Sequence, residues 1–344
     1  MSKRIAFCAD GTWQSDVSRT NVSRFYKALT FTADQAKYYD DGLGADGNPI
    51  STVLGGAFGI GLWNKIKIGY AKLAQVYMSG DEIYLFGFSR GAYTARSLAG
   101  MIAAVGLPTQ DFTDKLVDTA FKAYREKANR QKILAKLKNN HMETPKIKMV
   151  GVWDTVGALG IPSAIGLNDP IAYGFLDTSL SPIIQNAYQA LAIDEKRVQF
   201  QATLWTGKPA PGQMVEQVWF TGCHVDVGGG GGIDSEIDTA SLTDITLGWM
   251  MARATVLGLT FDKAVLDQYK LPIPPEYSLD DYHESWKVFN GLPIHRPIDP
   301  NAMLANSVSV RCQLNSSYRP ESLKFTKTGL SKQYPLAVVV NDQA

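Results

Sequence analysis

Cysteine is scarce in this sequence. Cys8, Cys223 and Cys312 are the whole complement of a 344-residue chain. They are too few, too far apart and odd in number for a disulfide framework or a zinc site, so reduced thiols are expected. Long apolar runs are missing too. None approaches the ~20 residues a membrane span requires, and the apolar core of the first strand is shorter than that of a signal peptide. A soluble, cytoplasmic protein is the expectation, although a leaderless export route would leave no mark. Charge of one sign is absent: 34 basic and 33 acidic residues give a net charge of +1. With no basic stripe interleaved with aromatics, nucleic acid is excluded as a partner. The Lys/Arg-rich stretch 122–138 alternates with Leu, Ile and Ala at helical spacing and reads as a solvated helix face. Repeats and low-complexity tracts are also lacking. Histidine is limited to His141, His224, His283 and His295, so imidazole chemistry has a short list of candidates.

What is present is an ordinary globular composition, 45% apolar and 19% charged, with ample material for a core. One pentapeptide stands out, Gly87-Phe88-Ser89-Arg90-Gly91. The β-branched and aromatic run at 82–86 reads as a buried strand, and the proline-free run from Ala92 to Met101 as a helix. Strand, G-x-S-x-G, helix is the pattern of a nucleophile elbow. Gly87 and Gly91 are required because the turn is too tight for side chains beside the serine. The bland alternative is a strand-to-helix turn with Ser89 as its N-cap.

Around this point strands are expected at 3–8, 37–40, 146–153, 198–204 and 216–221. Helices are expected near Asn21, from the glycine-rich 55–61 onward, at 111–125 and 128–139, around 182–192 and at 243–257. Alternating strands and helices with glycine-rich strand ends imply an α/β-hydrolase fold: a doubly wound, mostly parallel sheet with helices on both faces and a small cap. The catalytic domain is read over 1–270, with cap-like insertions near 55–63 and 157–175. Residues 271–344, rich in Pro, Ser and Asn, read as an irregular extension wrapping the same domain.

A serine hydroxyl needs a base, and the base needs a carboxylate to orient it. His224 closes the strand read from Val215 to His224 and is the chosen base. His141 sits in a polar hinge, and His283 and His295 in the irregular tail. Asp154 ends the strand at 146–153, where a carboxylate is costly unless paired, and is the chosen acid. Asp194 and Asp226 compete, and Asp226, two residues from the histidine, reads better as a loop-fixing group. The oxyanion hole draws on the N–H of Arg90 and on the loop Asp10-Gly11-Thr12-Trp13, where Gly11 or Thr12 supplies the second N–H and Asp10 pins the loop. Cys8 stands two positions before Asp10, where a haloacid-dehalogenase phosphatase needs its aspartate, which removes that reading. Gly228–Gly232 is followed by Ile233-Asp234 and is no P-loop. Asp226, Asp234, Glu236 and Asp238 read as a solvated acidic loop, with a divalent-cation site as the alternative. No metal or organic cofactor is required.

These pieces resemble the catalytic domain of the type VI secretion lipase effectors and their relatives in bacteria and fungi. The matching stretches include Cys8-Ala9-Asp10-Gly11-Thr12-Trp13, Thr20-Asn21-Val22, Tyr38-Tyr39-Asp40-Asp41-Gly42-Leu43-Gly44, and the elbow from Phe86 to Arg96. Gly151-Val152-Trp153-Asp154-Thr155-Val156-Gly157, Asp194-Glu195-Lys196-Arg197 with Phe200, the run Trp219 to Gly230, and Leu242 to Met250 continue it. The family often has His-Ser-Asp where this chain has His224-Val225-Asp226, and His-Pro-Ser-Val where it has Ala305-Asn306-Ser307-Val308. The resemblance implies a Ser-Asp-His hydrolase of carboxylic esters, with Ser89, Asp154 and His224 in the motif positions. In the effectors the substrates are acyl esters of phospholipids. Transient contact with a membrane surface and an inhibitor protein, should the chain act as a toxin, follow as expectations. A thioesterase or acyltransferase remains open, as does a non-catalytic binding protein on the same fold.

Overall fold

The computed structural model describes residues 2–12, 14–15, 17–42, 55–110, 112–156, 179–230, 240–287 and 292–341, with backbone alone at 55–60, 138–140 and 240. Eight strands form the central sheet: β1 (Arg4–Ala9), β2 (Gln35–Asp40), β3 (Glu82–Phe88), β4 (Ile147–Trp153), β5 (Asn186–Ala192), β6 (Met214–Phe220), β7 (Met303–Ala305) and β8 (Leu336–Ala337). Their order is β8-β7-β6-β5-β4-β3-β1-β2, and every neighbouring pair is parallel. Parallel strands need crossovers, and helices supply most of them. In chain order these are α1 (Asn21–Ala28), α2 (Gly55–Val76), α3 (Arg90–Val105), α4 (Asp114–Arg125), α5 (His224–Gly228), α6 (Ala240–Val256) and α7 (Asn306–Leu314).

Both faces of the sheet are covered, so its strands are apolar on both sides rather than alternating with polar residues. Ile5, Phe7 and Ala9 of β1 face one core with Ile66 and Leu73 of α2, Leu98 and Ile102 of α3 and Val117 of α4. Ala6 and Cys8 face the other core with Phe25 of α1, Trp249 and Met250 of α6 and Val308 of α7. This is an α/β-hydrolase-type fold. The chain leaves β1 outward to β2, then returns past β1 to β3. That reversal opens a crevice at the carboxyl ends of β1 and β3, the place where open α/β sheets bind ligands.

Three sequence expectations fail here. The stretch 182–192 is not a helix: Asn186-Ala187-Tyr188-Gln189-Ala190-Leu191-Ala192 is β5, hydrogen-bonded between β4 and β6. Its alanines favour helix in isolation, but a central strand rewards small residues that fit between two helical layers, and packing overrides propensity. The stretch 198–204 is not a sheet strand. A 3-10 turn at Val198–Phe200 opens a loop that touches Val156 by a single bridge at Ala202, because β5 already fills the place beside β6. The tail holds more regular structure than its composition suggests, since β7, β8 and α7 belong to it. Two strands of two and three residues are too short to show a period. Asn306 accepts the N–H groups of Val339 (2.8 Å) and Val340 (3.0 Å) and donates to the Val340 carbonyl at 2.8 Å, tying the last residues to the edge of the sheet. The cap expected at 157–175, the turn at 43–47, Trp13, and Asp234, Glu236 and Asp238 lie outside the described residues. Within 55–63, the backbone is the first part of α2.

Candidate active site

The elbow between β3 and α3 is drawn tight. Ser89 has φ 57° and ψ −121°, a region unfavourable for any residue with a side chain and costing about 1–3 kcal/mol. The turn is held by the Ser89 N–H, which donates to the Trp153 carbonyl at 3.0 Å. A Cβ on Gly87 would lie 2.4 Å from the Gly91 carbonyl oxygen, and one on Gly91 would lie 2.2 Å from the Ala9 oxygen. Only glycine lets the helix sit this close to the loop after β1.

His224 is four residues past the end of β6. It opens the short helix α5 rather than closing the strand. Its Nε2 is 2.8 Å from Ser89 Oγ, and its Nδ1 is 2.6 Å from Asp154 Oδ2. The ring is fixed between Phe88 (centroids 4.6 Å apart) and Phe200 (4.9 Å, edge-on). Burial pushes the imidazole below its ordinary value of 6.5, against the opposing pull of Asp154. The neutral, proton-accepting form therefore prevails at neutral pH.

Asp154 is fully buried at φ 38°, just past β4, with its N–H on the Ala190 carbonyl at 2.8 Å. Burial alone would raise this carboxyl, but Arg296 and His224 more than offset it and hold it well below the usual carboxylate range. Arg296 donates Nη1 to Oδ1 at 2.6 Å and Nη2 to Oδ2 at 2.9 Å, and the Ala192 N–H donates to Oδ1 at 3.0 Å. The competing acids have other tasks. Asp194 accepts the Gly222 N–H and the Tyr318 hydroxyl. Asp226 accepts the Cys223 N–H at 2.8 Å and pairs with His283 Nδ1 at 2.6 Å, so it fixes the start of α5. His295 pairs with Glu321 at the surface.

The loop after β1 packs against the elbow: a Cβ on Gly11 would come within 3.4 Å of Ser89 Cβ. Asp10 accepts the Gly11 N–H at 2.7 Å and the hydroxyls of Thr20 and Tyr39 at 2.5 Å each. That contact commits the Gly11 amide to Asp10, which leaves Thr12 as the donor among the described residues of the Asp10-Gly11-Thr12-Trp13 loop. Its Oγ1 is buried with no hydrogen-bond partner among the described residues. Thr12 shares a small cleft with Arg90, Gly91 and Thr94. The Arg90 N–H lies at the first turn of α3, where no intrahelical acceptor exists and the helix end carries partial positive charge.

Sequence reasoning missed the clamp on Asp154. Arg296 is 142 residues away in a proline-flanked loop of the tail, and no spacing or period marks it. It also missed Glu195, which is fully buried, forms a two-point pair with Arg197 at 2.8 Å for each contact, and accepts the His224 N–H at 3.3 Å.

Among the described residues no helix is long and apolar enough to cross a membrane. The sequence matches the family described as "T6SS, Phospholipase effector Tle1-like, catalytic domain" over residues 3–253. It is 29% identical over 235 residues to the uncharacterized protein YEL023C of Saccharomyces cerevisiae, covering 60% of this chain and 33% of that protein; the chain thus matches about a third of that relative's length. An uncharacterized protein from Pseudomonas aeruginosa aligns with a TM-score of 0.46 at 17% identity, over 78% of this chain and 49% of that one. The Tle1 effector, in a structure bound to the VgrG spike of the type 6 secretion system, aligns with a TM-score of 0.36 at 18% identity, over 67% and 51%. By its family match, this chain belongs to the Tle1-like phospholipase effector catalytic domains.

Proposed function

We propose that the chain is a serine hydrolase that cleaves acyl esters of lipids, phospholipids foremost, through an acyl-serine intermediate. The supporting observation is the hydrogen-bond line Asp154–His224–Ser89, which ends on a serine in strained backbone at a sheet crevice. His224 Nε2 takes the hydroxyl proton as Ser89 Oγ attacks the ester carbonyl, and Asp154 holds Nδ1 protonated and facing it. The oxyanion gathers the N–H of Arg90 and the N–H and hydroxyl of Thr12. Collapse expels the alcohol, protonated by His224. Water then attacks the acyl-serine with His224 again as base, releasing the carboxylate and restoring Ser89.

The test is intact-mass labelling with a fluorophosphonate, run beside turnover of mixed phospholipid micelles. Stoichiometric labelling is expected for the wild type, absent in Ser89→Ala and His224→Ala and retained in His295→Ala. Ser89→Ala should lower micelle turnover by about 10⁴-fold or more. A folded wild type that neither labels nor releases fatty acid would sink the proposal. Thr12→Val measures the oxyanion assignment: a kcat loss of about 10²-fold with little change in KM is expected if the hydroxyl serves the transition state.

A further inference from the structure

A second cavity, of about 420 Å³, lies along α3 beyond the elbow, lined by Arg96, Ser97, Gly100, Ala104, Leu180 and Trp205 among others. Arg96 is seven residues past Ser89, about 10 Å along the helix axis, so this cavity is apart from the serine crevice. We propose that it is a binding site for an organic anion carrying a carboxylate or phosphate head and a short apolar tail.

The argument starts from Arg96. It is only 7% exposed, yet none of its partners among the described residues carries charge. Nη1 donates to the Thr203 carbonyl at 2.6 Å and to Gln189 Oε1 at 3.3 Å, and Nη2 donates to the Leu204 carbonyl at 3.3 Å. The guanidinium stacks over the Trp205 ring at 4.6 Å, and its Nε has no hydrogen-bond partner among the described residues. A buried cation without a counter-ion, as Arg96 is among the described residues, is an arrangement proteins avoid unless an anion arrives. Burial drives the guanidinium pKa down to about 9.

Three further features point the same way. Ser97 is 5% exposed, and its Oγ on the same wall has no hydrogen-bond partner among the described residues. Arg130, also lining the cavity, donates among the described residues to the carbonyls of Ala123 and Tyr124 alone. No Asp or Glu is among the described lining residues, which rules against a metal cation as the occupant. Guanidinium groups suit carboxylate and phosphate oxygens, while Ala103, Ala104, Leu180 and Ile184 provide an apolar wall for a tail. The volume is in the range of small-molecule sites. A carboxylate is what ester cleavage releases and a phosphate ester is what a phospholipid carries. That link to substrate or product rests on the hydrolase reading, but the anion site itself does not.

The experiment is calorimetric titration of the full chain carrying Ser89→Ala, so that no turnover intervenes and the result is independent of the hydrolase proposal. The probes are octanoate, octyl phosphate, octanol and inorganic phosphate. One of the two amphiphilic anions is expected to bind about tenfold or more tighter than octanol or inorganic phosphate. Tighter octanoate identifies the released acyl group as the source, and tighter octyl phosphate identifies the headgroup. Adding Arg96→Gln should weaken that anion by about tenfold or more. Gly100→Leu is the second variant: a Cβ there meets only the Tyr124 hydroxyl, at 3.4 Å, so leucine extends into the cavity and leaves the Arg96 guanidinium in place. It should abolish binding with an unchanged circular dichroism spectrum. No binding of either anion at millimolar concentration, equal binding of octanol, or wild-type binding in folded Gly100→Leu would each overturn the proposal.

Discussion

Arg296 makes the environment of Asp154 unusual for a carboxylate expected to steady an imidazole, because the same two oxygens serve a guanidinium and a histidine. Breaking a buried pair by removing one partner costs about 3–5 kcal/mol, since the other charge is left stranded. Arg296→Met should therefore lower the urea-unfolding free energy by about 3 kcal/mol, and Asp154→Asn in the same chain should restore part of it. The kinetic sign follows from charge. The His224 pKa lies below 6.5 in the folded protein, mainly through burial. With Arg296 gone, the carboxylate is less neutralised and holds the imidazolium more firmly, so the histidine pKa rises. The acidic limb of the kcat/KM profile should then move to higher pH in Arg296→Met. A limb that stays in place would mean that the clamp is structural only. For stability, a carboxyl held low as Asp154 is contributes above the ordinary carboxylate range and is lost as pH falls.

At the scale of elements, the approach of α3 to the loop after β1 is set by Gly91. Gly91→Ala drives a methyl toward the Ala9 and Asp10 carbonyl oxygens, 2.2 and 2.4 Å away, and so separates Thr12 from the Arg90 N–H. A kcat loss of about 10²-fold is expected, with about 1–3 kcal/mol of destabilisation. Fluorophosphonate labelling rate and urea melts measure the two separately. The turn from β6 into α5 is held by Asp194, whose pKa burial raises to about 6. A folded pKa raised above the unfolded one means stability that is full below about pH 4 and lost as pH rises through about 6. Asp194→Asn keeps an acceptor for Gly222 and has no charge to bury. Urea melts between pH 4 and 7 should show a smaller decline for this variant than for the wild type, and a parallel decline would assign the effect elsewhere.

At the scale of the molecule, the sheet does not close within the span that matches the family. Residues 3–253 hold β1 to β6, but β7 and β8 extend the sheet beyond them. Leu304, Val308 and Val339 from this region are in the same core as Phe25 and Trp249. The clamp Arg296 and the Asp226 partner His283 also come from it. A chain ended after Tyr269 should lose its cooperative unfolding transition and its labelling at Ser89, with limited proteolysis as the measure. A truncated chain that folds and labels would show the tail to be dispensable.

The sequence alone determined what depends on neighbours along the chain. The elbow was legible because strand, glycine, serine, glycine and helix are adjacent, and steric limits at one tight turn dictate each residue. Asp154 and His224 were legible because both follow strands whose apolar character is plain. Where the local signal was weak or misleading, tertiary structure decided. Ala187, Ala190 and Ala192 became a strand because a slot between β4 and β6 accepts small residues and because sheet hydrogen bonds outweigh an intrinsic preference for helix. The commitment of the Gly11 amide to Asp10, the Arg296 clamp and the burial of Arg96 against Trp205 depend on distances between segments far apart in the chain. Burial gives those contacts their force, and burial is a property of the packed molecule that no local pattern encodes.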